Sequence, residues 1–319
     1  MTATAELDHA VALLRAGELV AFPTETVYGL GADARNEHAV AKIYALKRRP
    51  AGHPLIVHLA SAAALDDWAA AVPPAARRLA ARFWPGPLTL ILPRAAGVAD
   101  ALTGGQDSIG LRVPAHPLAL QLLAAFGGGI AAPSANRYGR VSPTSAAHVR
   151  AEFGAETPFV LDGGDCSVGL ESTIVSLVGE PLLVRPGGIA APALEALIGP
   201  LRRAAAGEGP RAPGTTRSHY APATRLLVVA PGALAAAAGP GSAVLARRPA
   251  PAAFQGALWL EAAAAPAAYA HDLYANLRRL DRAAAATIVV EAVPDGPAWE
   301  AVRDRLGRAA AACGAEDSA

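Results

Sequence analysis

The alternation of apolar and polar positions divides the chain into short strands and amphipathic helices. Leu7, Val11 and Leu14 recur at helical spacing, and the pattern stops at Gly17. Residues 19–22 form a short apolar run that ends at Pro23, as a buried strand does. Residues 24–31 are polar and glycine-rich and predict a turn. Asn36 is placed to cap a second helix with Ala39, Val40, Ile43 and Leu46 on its buried face. Lys47, Arg48 and Arg49 fall at the end of that helix, and Pro50 closes it. Further strands are expected at 55–59, 87–93, 108–113, 130–132, 159–162, 173–178 and 182–185, and helices at 61–70, 74–84, 117–126 and 144–153. This irregular alternation indicates an α/β domain with a mixed sheet.

Residues 200–224 change character. Gly207, Gly209, Pro210, Pro213, Gly214 and Pro222 break regular structure, so the chain divides into a domain over 1–200, a linker over 201–224 and a smaller domain over 225–319. In the last region strands are expected at 226–229, 243–246, 258–260 and 287–291. The clearest helix, 266–282, carries Leu273, Leu277 and Leu280 on one face, and a final helix carries Trp299, Val302 and Leu306. Strands separated by helices suggest a small open parallel α/β sheet of Rossmann-like type. No internal repeat is visible.

Composition narrows the function. Hydrophobic residues make up 53% of the 319 positions and charged residues 17%, a globular balance. A net charge of +1 argues against a protein whose main task is coating nucleic acid. Of 28 basic residues only Lys42 and Lys47 are lysines, which makes the lysine at 47 informative. Cys166 and Cys313 are too few for a disulfide framework or a zinc site. The N-terminus lacks a signal-peptide pattern, and no apolar run reaches the roughly 18 residues that span a membrane, so a soluble cytoplasmic protein is expected.

Candidate chemistry is spread along the chain. Neither lysine follows a glycine, so there is no Walker A loop; a zinc helix and a nucleophile elbow are also missing. Gly29, Gly31 and Ala34 match a dinucleotide fingerprint only weakly and suit turn glycines better. The Lys47–Arg49 cluster can grip phosphate oxygens, or it can be a solvated helix terminus, which charge alone favours. Arg112, inside an apolar strand, must face a carboxylate ligand or a structural ion pair. His53 and His58 flank one strand at an odd spacing, on opposite faces, and make a poor metal pair. Residues 133–136 and 171–173 put hydroxyl and amide groups at strand ends, where α/β ligands bind and where polar turns also form. Arg185 adds a cation at another strand end, with a surface charge as the plain alternative.

Taken in order, these segments resemble a known family. Phe22-Pro23-Thr24-Glu25-Thr26-Val27-Tyr28-Gly29-Leu30-Gly31, Lys47-Arg48-Arg49-Pro50, Pro54-Leu55-Ile56-Val57-His58 and Trp84-Pro85-Gly86-Pro87-Leu88-Thr89 are similar to motifs of the threonylcarbamoyl-AMP synthase (YrdC-like) family. So are Gly110-Leu111-Arg112-Val113-Pro114, Ala132-Pro133-Ser134-Ala135-Asn136, Ser142-Pro143-Thr144, Asp162-Gly163-Gly164, Glu171-Ser172-Thr173-Ile174 and Arg185-Pro186-Gly187. The resemblance runs from about residue 5 to 200. His219-Tyr220-Ala221-Pro222 and the region beyond resemble the long, two-domain form, so the implied fold is a YrdC-like mixed twisted sheet followed by a smaller Rossmann-like domain.

The resemblance implies a reaction in which L-threonine, bicarbonate and ATP give threonylcarbamoyl-adenylate and pyrophosphate. Partner proteins then transfer the threonylcarbamoyl group to an adenosine beside the anticodon of certain tRNAs; direct tRNA contact is a further expectation. By motif position Thr26, His58, Ser108, Arg112, Ala132 through its backbone and Ser172 lie around threonine. Lys47, Arg49, His53, Ser134, Asn136, Ser142 and Arg185 lie around ATP, and Tyr220 closes over the nucleotide from the linker. Lys47, Arg49 and Arg112 are the catalytic candidates, with Arg48 facing solvent. Mg2+ arrives on the ATP phosphates. His53 stands where the family often has Asn, and Ser108 keeps the hydroxyl of a frequent Thr. The rival reading, a non-catalytic double-stranded RNA or tRNA binder, is disfavoured by the small net charge. A carbamoyltransferase with zinc-finger regions does not fit two cysteines.

Overall fold

Asn36 caps the second helix as expected, its side-chain oxygen accepting from the amides of His38 and Ala39. The computed structural model describes residues 3–205, 207–216 and 218–313. The chain forms two units. The first holds the chain up to Tyr138, Pro143–Ser167 and Glu171–Thr215; the second holds Gly139–Ser142, Val168–Leu170 and the chain from Thr216 onward.

In the first unit the helices are α1 (Ala3–Arg15), α2 (Glu37–Lys47), α3 (Pro74–Phe83), α4 (Asp100–Thr103), α5 (Pro117–Phe126), α6 (Ala146–Phe153) and α7 (Ala191–Ile198). Its strands are β1 (Val20–Phe22), β2 (Gly29–Asp33), β3 (Ile56–His58), β4 (Leu88–Pro93), β5 (Ser108–Arg112), β6 (Ile130–Ala131), β7 (Phe159–Val160), β8 (Thr173–Ser176), β9 (Leu182–Arg185) and β10 (Arg202–Arg203). They form one sheet in the order β10-β9-β8-β4-β5-β3-β6-β2-β1-β7. The sheet is mixed: β3 runs parallel to β5, β5 antiparallel to β4, and β4 parallel to β8.

Alternation splits the central strands between two faces. Leu55, Val57, Leu88, Leu90, Leu92, Ile109, Leu111 and Val175 enter the main core, which also holds Leu79 of α3 and Leu194 of α7. Ile56, Ile91 and Ile174 point the other way and pack with Leu182, Val184 and Ala212.

Three sequence expectations fail for physical reasons. Residues 29–33 are a strand and not a turn, hidden by glycines that strands ordinarily avoid. Gly31 is required there, since a Cβ would sit 2.8 Å from Phe22 and 2.9 Å from Ile130. The expected helix over 61–70 shrinks to a 3-10 turn at Ala62–Asp67. The linker is not wholly a linker: Arg202–Arg203 extend the sheet beside β9, and residues up to Thr215 belong to the first unit.

The second unit has β11 (Arg225–Val229), β12 (Ser242–Ala246), β13 (Leu258–Glu261) and β14 (Thr287–Glu291), all parallel, in the order β11-β14-β12-β13. Its helices are α8 (Leu234–Ala237), α9 (Pro266–Asp281) and α10 (Glu300–Cys313). Leu273, Leu277 and Leu280 of α9 are buried, as their spacing predicts. Gly139–Ser142 joins this unit through an Ala221 amide that donates to Gly139 O (2.8 Å) and an Arg140–Asp281 ion pair of 3.4 Å.

Candidate functional site

The face of β5 that carries Ser108, Gly110 and Arg112 is the polar half of an otherwise apolar strand. In register, Ile56 lies beside Gly110 and His58 beside Arg112. Gly110 keeps this surface low: a Cβ there would meet Ile56 at 3.4 Å and Thr89 at 3.5 Å. The cleft above it is narrow and is lined by Ile56, Thr89, Ser108, Gly110, Arg211 and Pro213 among others.

Arg112 is buried, and both alternatives drawn from the sequence bear on it. Its Nη2 lies 2.7 Å from Glu25 Oε1, off the line of a hydrogen bond, while its Nε donates to Gly86 O at 3.3 Å. The other oxygen of Glu25 accepts from the Ala115 amide at 3.0 Å. The guanidinium is therefore held along one edge by the protein. Glu25 also places its neighbour Thr26, whose hydroxyl meets that of Thr24 at 2.8 Å in a buried turn.

Ser172 and Arg185 close the same face. Ser172 Oγ lies 2.8 Å from Thr89 Oγ1, and Arg185 Nη2 donates to Ser172 O (2.8 Å) and Oγ (3.2 Å). Arg185 Nη1 donates to Pro213 O at 2.7 Å, so the plain reading of Arg185 as a surface charge is wrong; the side chain is buried. Ala132 N donates to Ile56 O at 2.9 Å, which brings the 132–136 segment against β3.

That segment leads to the second cluster. Lys47 is only 2% exposed, and its ammonium donates to Ser134 O at 2.6 Å and to Asn136 O. The solvated-terminus reading thus fails for Lys47 and for the buried Arg49, and holds for Arg48, which is exposed in a left-handed cap conformation with φ of 52°. The helical period carries the buried stripe from Ala39, Val40 and Ile43 to Lys47, not to Leu46 as hydrophobicity suggested. Burial, reinforced by the Arg49 charge, holds the Lys47 ammonium well below its ordinary pKa. Arg49 donates to Pro54 O at 2.9 Å and sits 5.7 Å from the ring centre of Tyr138. His53 lies in the turn before β3, not on the strand, with its Nε2 3.4 Å from the Tyr138 hydroxyl. Burial and then the charges of Arg49 and Arg211 lower its pKa.

Ser142 and Tyr220 fall in the second unit. Ser142 is fully buried. Tyr220 is 1% exposed, stacks on Tyr274 with centroids 5.9 Å apart, and lies 5.0 Å from Arg305 Cζ. Sequence reasoning singled out neither Glu25, Thr89 nor Tyr138. An acid between two threonines just after a strand was the available signal for Glu25; nothing local marked the other two.

His58 is buried against Phe22, and its Nδ1 has no partner among the described residues. Burial, with the charge of Arg112, pushes its pKa from 6.5 down to about 3, against the opposing pull of the Ile56 and Ile130 carbonyls. Between those values the unfolded chain binds a proton that the folded chain excludes. Stability contributed by the neutral ring is therefore complete above 6.5 and drains away as pH falls toward 3. Urea denaturation across this window should show His58→Asn losing up to about 1.4 kcal/mol per pH unit less than the parent chain. Equal slopes would assign the acid sensitivity elsewhere.

Comparison with known proteins places this geometry. A family model described as telomere recombination (Sua5/YciO/YrdC) matches residues 12–187, and one described as threonylcarbamoyl-AMP synthase, C-terminal domain, matches 189–311. The chain is 47% identical over 226 residues to the threonylcarbamoyl-AMP synthase of Pyrococcus abyssi and 46% identical over 229 residues to that of Bacillus subtilis, covering 69% and 70% of this chain. These alignments span 66% of the length of each relative, just under two thirds. The crystal structure of P. abyssi Sua5 complexed with L-threonine superposes with a TM-score of 0.88 at 38% identity, over 96% of this chain and 94% of that one. With both models matching in sequence, the chain belongs to the Sua5/YciO/YrdC family, in its two-domain form.

Proposed function

We propose that this chain is an L-threonylcarbamoyladenylate synthase, a nucleotidyltransferase that makes threonylcarbamoyl-AMP and pyrophosphate from L-threonine, bicarbonate and ATP. The observation that carries the reading is the burial of four cations, Lys47, Arg49, Arg112 and Arg185, with Lys47 held by the backbone of Ser134 and Asn136. Buried cations of this kind suit a reaction in which anions must be gathered and charge develops on a leaving pyrophosphate.

In this mechanism Arg112 receives the threonine carboxylate through the guanidinium edge that Glu25 and Gly86 leave open, with Thr26, His58, Ser108, Ser172 and the backbone of Ala132 around the rest. The threonine amine captures bicarbonate as a carbamate with loss of water. A carbamate oxygen then attacks the α-phosphorus, and pyrophosphate leaves toward Lys47 and Arg49. The direct contact of Arg185, on the proposed ATP side, with Ser172, on the proposed threonine side, supports a shared site for the two substrates. His53, Ser134 and Asn136 complete the proposed nucleotide contacts within the first unit. The ATP enters as its magnesium complex. The chain's own contribution around the phosphates is cations and hydroxyls.

The product is proposed to pass to separate threonylcarbamoyl-transfer proteins acting on tRNA in the cytoplasm. Among the described residues no helix is long and apolar enough to cross a membrane. Incubation with Mg-ATP, labelled bicarbonate and L-threonine should yield pyrophosphate and a labelled adenylate only when all three are present. Folded protein that releases no threonine-dependent pyrophosphate would sink the proposal.

A further inference from the structure

The second unit carries a group of side chains that the proposed reaction does not use. Its sheet order is β11-β14-β12-β13. The chain leaves β12 toward β13, whereas it leaves β14 into α10, which packs on β11. Connections therefore part in opposite directions at the β14–β12 pair. In an open parallel sheet, ligands bind in the crevice outside the carboxyl ends of such a pair.

Arg247 directly follows β12, and Glu291 ends β14. The Arg247 amide donates to Glu291 Oε2 at 2.8 Å, and Arg248 Nη2 donates to Glu291 Oε1. Both carboxylate oxygens are thus engaged without the Arg247 guanidinium. That guanidinium lies with Cζ 5.6 Å from the Trp299 ring centre. Its Nε is buried and has no hydrogen-bond partner among the described residues. Tyr269, in the first turns of α9, meets Trp299 edge to face with centroids 5.4 Å apart. It is 2% exposed, and its hydroxyl has no partner among the described residues. Arg247 and Glu291 are the charges that act on this hydroxyl, so the groups share one neighbourhood.

Two buried donors around one aromatic ring, both lacking an acceptor, are costly unless something supplies one. We infer that Arg247, Tyr269 and Trp299 form a binding site for an oxyanion, the phosphate or carboxylate group of a ligand, at the carboxyl end of the second sheet. Arg248, half exposed at the rim, adds a second positive charge. The inference stands independently of the reaction proposed for the first unit.

The test uses the full chain, with inorganic phosphate and acetate titrated at constant ionic strength while the tryptophan indole signals are followed by NMR. Trp68 and Trp84 lie in the first unit and report separately on any anion bound there. The Trp299 signal should shift saturably with at least one of the two anions, and the better one names the ligand group. Arg247→Gln and Tyr269→Phe should each weaken that binding about tenfold or more. The phenylalanine variant keeps the ring packing, so it decides the matter if the glutamine variant fails to fold. An unsaturable response at Trp299, or unchanged affinity in Tyr269→Phe, would overturn the site.

Discussion

Lys47→Met is expected to cut threonine-dependent pyrophosphate release by roughly 10²–10³-fold, the usual cost of removing one preorganised donor from a developing negative charge. The ammonium is held by the Ser134 and Asn136 carbonyls, so it needs no reorganisation when phosphate arrives. Methionine fills much of the same volume, so the loss should be catalytic and not a collapse of the fold. Two opposing terms bear on stability. The two carbonyls lose a donor, about 1–3 kcal/mol each if left dry, while the desolvation of a buried ammonium is relieved. A pH series adds a check on sign. Burial keeps the free ammonium well below its ordinary pKa, and only the protonated form grips phosphate. Apparent ATP affinity should therefore fall as pH rises through that lowered value, and Lys47→Met should lack this alkaline limb. A variant with near-normal turnover, or one that keeps the limb, removes Lys47 from the phosphate site.

The same residue shows what could be read from the chain before its fold was known. The helix Glu37–Lys47 was legible from its Asn36 cap and apolar stripe. The burial of Lys47 was not, although it stands one helical turn after Ile43 on the same face. Periodicity alone would have put it inside; its charge argued for solvent, because the carbonyls that satisfy it come from residues 134 and 136, about 90 positions away. Strand β2 failed for a related reason. Gly29 and Gly31 signal a turn locally, and only the crowding between Phe22 and Ile130 shows why a strand needs glycine there.

Long-range partners also explain why the sequence left two readings open at Arg112. An arginine in an apolar strand demanded an anion, but nothing near it in sequence says which. Glu25 comes from 87 residues earlier and reaches it only because β1, β2 and β5 share one sheet. Regular apolar patterns such as Leu273, Leu277 and Leu280 were read correctly because a single helix face needs no such partner. The linker was the reverse case. Its glycines and prolines are real breaks, yet Arg211 and Ala212 are fixed to the first unit by the paired contacts of Gln106 with Arg211 and by the small apolar cluster around Ile56.

Glu25→Gln separates a structural ion pair from a substrate site. Glutamine can still accept from the Ala115 amide, but Arg112 is left buried and without its counter-charge. Breaking a buried pair in this way costs about 3–5 kcal/mol, so the free variant should unfold at markedly lower denaturant than the parent chain. The ligand response decides what the pair is for. If Arg112 receives the threonine carboxylate, bound L-threonine supplies the missing negative charge. Saturating L-threonine should then stabilise Glu25→Gln more than it stabilises the parent chain, by about 1–3 kcal/mol, the scale of one charge-assisted contact. If the pair only holds the turn of Thr24 and Thr26 against β5, L-threonine should stabilise both proteins equally or the parent more. Turnover should fall in either case, because Glu25 and Gly86 hold one edge of the Arg112 guanidinium and so aim the edge presented to substrate. Stability, measured with and without the amino acid, is therefore the readout that assigns the guanidinium, and equal stabilisation would return Arg112 to a structural role.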